Sequence, residues 1–469
     1  MLTFIKQLSY TQKILIIIGL FFIIRLFSIT HPPIEISHNW RQVTGNMITR
    51  NFLENNNNIM YPQLDNGGAT SGITGTEFPL MNYIDYLLSL IFGYTHWWGR
   101  LLNLIVSSIG VYYFFLIVKK YFTEDTAFNA AFILLVSTSW FLFSRKAMPD
   151  TFSVSIVIIG IYYASNYIET GKILQLLLGA LLIGLGILSK IPAGYLLIVL
   201  SLFISPLLKQ PKRLLFMVFF LGLSLTSVLF WYFYWVPHLV KLSGFWHYYM
   251  GVTFTQGIHE IVEFAPFAAR KYYFDALCYS GFILWVVSLY YQVKQREKTL
   301  MFITGLTTFL FVLFMIKAGR TFALHSYYIV PFTPIMALGI GWLITQLPKR
   351  FTVLLLSIVL IENIANAQHD LFYKKSEAYK LQLESIADSV TLRNDLVVIN
   401  GTDNPQELYF SHRKGWTITP EEMIQKNFTD SLAQMGCKWA IVNKTQQSDS
   451  LYYPIVFDNE FYRIYRLGN

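Results

Sequence analysis

The chain has 469 residues, of which 54% are Ala, Val, Ile, Leu, Met, Phe, Trp, Tyr or Cys and only 13% are charged, against about 25% charged in ordinary soluble proteins. That balance excludes a water-soluble globule, a disordered chain and a disulfide-stapled scaffold, and it leaves a polytopic membrane protein. The net charge of +9 is uneven: residues 1–366 hold 25 Lys and Arg against 14 acidic residues, and residues 367–469 hold 11 against 13. The expected organisation is therefore a transmembrane domain over 1–366 and a small soluble α/β domain over 367–469. The basic excess belongs to the membrane part, where it is a topology signal and not a nucleic-acid footprint. The two cysteines, Cys278 and Cys437, suggest neither a disulfide framework nor a zinc site.

In chain order, apolar stretches near the spanning length of about 20 residues fall at 14–30, 99–118, 126–143, 151–168, 173–189, 192–208, 214–236, 274–292, 299–316, 327–347 and 351–366. This predicts about eleven transmembrane helices, with Lys190 and Pro192 interrupting the 173–208 stretch. Residues 80–93 are too short and mixed to span. The first stretch lacks a small-residue cleavage site after it and reads as a signal anchor. With the N-terminus in the cytoplasm, Lys6, Lys13, Lys119, Lys120, Lys172, Lys209, Lys212, Arg213, Lys294, Arg296, Lys298, Lys349 and Arg350 all fall on the inner side, the positive-inside pattern. Longer loops at 31–98, 237–273 and 317–326, and the C-terminal domain, fall outside.

Ionisable residues at a membrane margin cost free energy unless paired or hydrated, so they are functional candidates. On the outer side these are the carboxylates Glu35, Asp65, Glu77 and Asp150, the imidazoles His38 and His325, and the cations Arg41, Arg145, Lys146, Lys190 and Arg320. Convergence of these residues on one outer cavity would provide carboxylates for general-base or metal-ligand roles and cations for a lipid phosphate. Trp40, Tyr327 and Tyr328 would complete its lining. His238, His247 and His259 lie in a later loop, and no single one stands out as a metal ligand.

Five short motifs occur in order: the polar segment ending in Arg41, Glu77-Phe78-Pro79-Leu80, Gly99-Arg100-Leu101-Leu102, Arg145-Lys146-Ala147-Met148-Pro149-Asp150, and His325-Ser326-Tyr327-Tyr328. Together they resemble the GT-C membrane glycosyltransferases and, within them, glycosyltransferase family 39, the group of protein O-mannosyltransferases and the lipid A aminoarabinose transferase. The resemblance covers roughly residues 1–366. It implies a polyprenyl-phosphate-linked sugar as donor and a glycolipid, glycan or protein of the cell envelope as acceptor, with inverting transfer at the outer face of a bacterial cytoplasmic membrane. It assigns the donor phosphate to Arg41, Arg145, Lys146, Lys190 and Arg320. The family's first-loop acidic pair is absent: His38-Asn39-Trp40-Arg41 stands in its place. The general base is therefore left among His38, Glu35, Glu77 and Asp150, and a divalent metal, with Glu77 as a ligand, is left open. A lipid-linked glycan flippase and a non-catalytic relative are the alternatives.

In the C-terminal part, Leu396–Asn400, Lys438–Asn443 and Tyr462–Arg466 read as strands, a helix is expected near 371–392, and Thr419-Pro420 reads as a helix start.

Overall fold

The computed structural model describes residues 8–203, 207–243, 251–447 and 450–467. Lys6 of the inner-side set, and His247, lie outside the described residues. Each of the eleven apolar stretches has a helical counterpart, but among the described residues only six helices are long and apolar enough to cross a membrane alone: Trp98–Tyr121, Pro149–Thr170, Pro211–Ser243, Lys298–Ala318, Ser326–Gln346 and Lys349–Leu371. A seventh is the bent pair Ala265–Ala276 and Cys278–Gln295. The remaining stretches are shorter or broken, for local reasons. Ser137 ends Glu124–Val136 and, through its hydroxyl, caps Thr138–Phe143, which splits the 126–143 stretch. Lys190 takes an extended backbone after Ile173–Ser189, and the chain continues as a 3-10 helix over Ile191–Phe203. Residues 80–93 form the 13-residue helix Leu80–Phe92.

The chain forms two compact units, the first comprising residues 1–29, 99–232 and 249–371, the second 30–98, 233–248 and 372–469. In the first unit, Ser326–Gln346 is the most buried of the six long helices, while Lys349–Leu371 is among the most exposed. The outward side chains of the latter, such as Val353, Leu354 and Ile361, are apolar, as a hydrocarbon surround requires and water disfavours.

The hairpin of Pro149–Thr170 and Ile173–Ser189 packs closely because glycines line its seam. A Cβ on Gly160 would lie 2.8 Å from the Ile183 amide nitrogen, and one on Gly186 would lie 2.9 Å from the Ser153 carbonyl. Small residues at a helix seam let backbones approach without side-chain interference. This approach carries Lys190, just past the second helix, to Asp150 at the start of the first.

The second unit contains a five-stranded mixed sheet, β1 (Leu396–Ile399), β2 (Lys414–Thr417), β3 (Cys437–Asn443), β4 (Ile455–Asp458) and β5 (Tyr462–Arg466), in the order β2-β1-β3-β5-β4. β1 runs parallel to β2 and β3, and β5 runs antiparallel to β3 and β4. The period-2 alternation of strands sorts side chains to two faces. Val397, Ile399, Ile441 and Ile464 share one core with Ile34, Val43, Met47, Ile48 and Phe52 of the 31–98 segment. Val398, Ala440, Val442 and Tyr465 face a second core with Met423 and Leu432. The helix Asn39–Glu54 thus supplies one half of a core whose other half follows residue 372. Thr419 caps Pro420–Met423 through a reciprocal pair of hydrogen bonds with Glu422. The expected helix near 371–392 is a 3-10 helix over Lys375–Gln382 running into the α-helix Leu383–Val390.

Candidate functional site

In the first unit, Asp150 occupies the first turn of Pro149–Thr170. Lys190 Nζ lies 3.1 Å from its Oδ1, with side-chain exposures of 7% and 3%. The same ammonium is 4.9 Å from the Tyr327 ring centroid and 5.4 Å from that of Tyr328. His325 stacks beside both tyrosines, and its Nδ1 lies 2.9 Å from the Thr321 carbonyl oxygen. The structure therefore brings together Asp150, Lys190, His325, Tyr327 and Tyr328, which are up to 178 positions apart in the sequence. The carboxylate and the two aromatic faces compensate part of the cost of taking this ammonium out of water.

Arg145 and Lys146 are buried but turned to different partners. Arg145 donates from Nε to the Arg25 carbonyl, from Nη1 to the Asp370 carbonyl and from Nη2 to the Phe27 carbonyl, at 3.3, 3.0 and 2.6 Å. Lys146 Nζ pairs with Asp370 at 2.5 Å, both fully buried. These contacts tie the loop before Asp150 to the end of Tyr10–Leu26 and to the segment after Lys349–Ala367, which gives the two cations a structural task that the sequence did not announce. Arg320 is exposed; its guanidinium lies over the Phe264 ring at 5.3 Å, and its backbone N–H donates to Glu260.

Asn103 was not singled out by sequence, yet it fixes the same loop. Its amide donates to the carbonyls of Phe143, Lys146 and Met148 at 2.8, 2.8 and 3.0 Å, and its carbonyl accepts from Thr151 Oγ1 at 3.0 Å. The available signal was an amide in an apolar run, three residues after Arg100 and so one helical turn along the same face. Asp370 carried no such signal, because its partner is 224 residues earlier.

In the second unit, Arg41 Nη2 pairs with Glu77 Oε1 at 2.5 Å, and Thr76 Oγ1 donates to Glu77 Oε2 at 3.0 Å. Glu77 keeps 11% side-chain exposure, more than the buried Glu35. Glu35 accepts from Gln42 Nε2 at 2.8 Å. His38 precedes Asn39–Glu54 with a left-handed backbone (φ 61) and does not cap the helix with its ring. Such a conformation is uncommon outside glycine and is more frequent at functional positions. Trp40 is exposed. Asp65 is spent within the fold: Arg50 Nη2 donates to it at 2.6 Å and Asn51 Nδ2 at 2.8 Å.

Among the described residues, no group of three or more His, Cys, Asp and Glu is placed to hold a metal ion.

Residues 76–232 match the sequence family of dolichyl-phosphate-mannose-protein mannosyltransferases. No curated protein matches the chain by sequence. Among solved structures, ArnT from Cupriavidus metallidurans in the apo state is similar with a TM-score of 0.63 and 12% identity, over 98% of this chain and 99% of that one. The same protein bound to undecaprenyl phosphate gives 0.62 and 11%, over 97% of each chain. The Archaeoglobus fulgidus oligosaccharyltransferase in the apo form gives 0.56 and 12%, over 92% of this chain and 69% of that one. At these identities the likeness is one of fold: the chain shares the fold of ArnT and, over most of its length, that of the oligosaccharyltransferase.

Proposed function

We propose that the protein transfers a sugar from a polyprenyl-phosphate-linked donor to a cell-envelope acceptor, with inversion at the anomeric carbon, at the outer face of a bacterial cytoplasmic membrane. The observation that carries this reading is the agreement in fold along nearly the whole chain with ArnT, one structure of which holds undecaprenyl phosphate. Lys190, set between Asp150 and two tyrosine rings, is the proposed contact for the phosphate. In this reading the ammonium stabilises the charge that develops on the departing polyprenyl phosphate, and it does so best where water is excluded and the cation is already placed. Glu77 is the proposed general base: it is oriented by Arg41 and Thr76, and it retains more exposure than Glu35 or Asp150. It would take the acceptor hydroxyl proton as that oxygen attacks. Arg145 and Lys146 serve in this reading to hold the Asp150 loop.

The reading is tested by binding. Undecaprenyl phosphate added to detergent-purified protein is expected to be retained in native mass spectrometry, and Lys190→Met is expected to weaken retention by at least about tenfold. Equal retention by the variant removes Lys190 from the phosphate site. No retention by the unaltered protein removes the polyprenyl-phosphate reading.

A further inference from the structure

The second unit contains a polar cleft of about 450 Å3, a volume suited to a small ligand. Its walls come from the end of Asn39–Glu54, the 393–396 segment and the start of β2. Most of its charges are already neutralised. Arg50 and Asp65 form a buried pair at 2.6 Å. His412 is gripped between Glu384 on Nδ1 at 2.9 Å and Glu54 on Nε2 at 2.8 Å. Arg393 pairs with Glu384 and Asp388, and Arg413 with Asp388.

Lys414 is left over. It lines the cleft at the first position of β2, half-buried, with no ion-pair or hydrogen-bond partner for its ammonium among the described residues. Burial pushes its amine below the ordinary lysine range, and neighbouring Asp65 and Glu54 do not restore it. A cation taken partly out of water without a counter-ion is unfavourable, and an incoming anion would relieve that cost. Beside it Asn55, Asn394 and Glu54 also line the cleft, residue types whose polar groups suit hydroxyls.

The cleft is also preorganised. The Gly415 N–H donates to the Asp65 carbonyl at 2.9 Å, and the Gly68 N–H donates to the Gly415 carbonyl at 2.8 Å, so the glycine-rich turn extends the sheet edge beside Lys414. Gly68 has φ +64, and a Cβ there would lie 2.4 Å from the Trp416 indole nitrogen. No other residue fits that turn.

We propose that this cleft binds a saccharide bearing an anionic group, with the anion on Lys414 and the sugar hydroxyls on Asn55, Asn394 and Glu54. The choice of a saccharide rests on the proposed glycosyl transfer, whereas the anion site rests on the cleft alone. The test is calorimetric titration of the full-length, detergent-purified protein with glucuronate, glucose 1-phosphate, glucose and inorganic phosphate. At least one anionic sugar is expected to bind at least about tenfold more tightly than glucose, and comparison of the two tells whether carboxylate or phosphate is preferred. Lys414→Gln is expected to abolish the preference and Lys414→Arg to keep it. Absence of binding by every probe, or an unchanged preference in Lys414→Gln, overturns the proposal. Phosphate binding as tightly as glucose 1-phosphate overturns the saccharide half of it. Release of polyprenyl phosphate from a donor, measured on the same preparation, separates the two readings: release without sugar binding overturns the cleft alone.

Discussion

Replacing Asp150 by Asn removes the counter-ion of a lysine that is almost completely enclosed. At the observed 3.1 Å and an effective dielectric of about 20, the Coulomb attraction is about 5 kcal/mol. Breaking a buried pair by removing one partner typically costs about 3–5 kcal/mol, whereas replacing both partners by neutral groups is often close to neutral. Asp150→Asn is therefore expected to lower the thermal midpoint of the purified protein markedly, and Asp150→Asn combined with Lys190→Met to recover most of the loss. Activity separates the two roles of the lysine. If Lys190 meets the donor phosphate, the double variant regains stability but stays at least about tenfold slower in sugar transfer, because the charge stabilisation at the leaving group is gone. A double variant with both stability and near-unaltered transfer would refute the assignment and leave Lys190 a purely structural partner of Asp150.

The His412 bridge makes the second unit pH-sensitive from both sides. Burial alone would lower the His412 pKa, but its hydrogen bonds to Glu384 and Glu54 outweigh that and raise it. A raised folded-state value means that the contribution is complete below the ordinary value of about 6.5 and is lost as pH rises through the folded value. The hydrogen bond to His412 depresses Glu384 to about 2, so its contribution is present above its ordinary value and is lost as pH falls toward 2. Amide protection around residues 408–413, taken relative to the intrinsic exchange rate at each pH, is expected to be higher near pH 6 than near pH 9, and His412→Gln should flatten that difference; an equal difference in the variant contradicts the bridge. The segment 372–469 produced alone is expected not to fold, because Ile34, Val43, Met47, Ile48 and Phe52 are missing from its core. Burial of each such side chain contributes about 1.5–3 kcal/mol, which together exceeds the margin of many domains. A well-dispersed amide spectrum from the isolated segment would contradict the shared core.

How much of this was legible in the sequence follows from the range of each interaction. The strands β1, β3 and β5 could be read from apolar and β-branched runs, and the Thr419-Pro420 start from capping chemistry. The strands β2 and β4 were missed because β2 is interrupted by Gly415 and β4 is largely exposed. The grouping of residues 30–98 with the C-terminal segment had no local signal, since composition reports solubility and not which apolar faces meet. In the site, the Asp150, Lys190, His325, Tyr327 and Tyr328 set was legible because charges and polar aromatics are costly in apolar surroundings wherever they fall. The partners of Arg145 and Lys146 were not, because backbone carbonyls and Asp370 are chosen by tertiary packing. A misplaced charge in a membrane sequence says that something compensates it, and only the fold says whether that is a ligand or another part of the chain.

The central claim, transfer from a polyprenyl-phosphate-linked sugar, is tested most directly by following the donor. Purified protein given a panel of polyprenyl-phospho-sugars and envelope-derived acceptors is expected to release polyprenyl phosphate only when a suitable acceptor is present, with the anomeric configuration of the product opposite to that of the donor. Glu77→Gln is expected to slow that release at least about tenfold. No release across the panel, release that does not depend on acceptor, or a product of retained configuration would contradict the account.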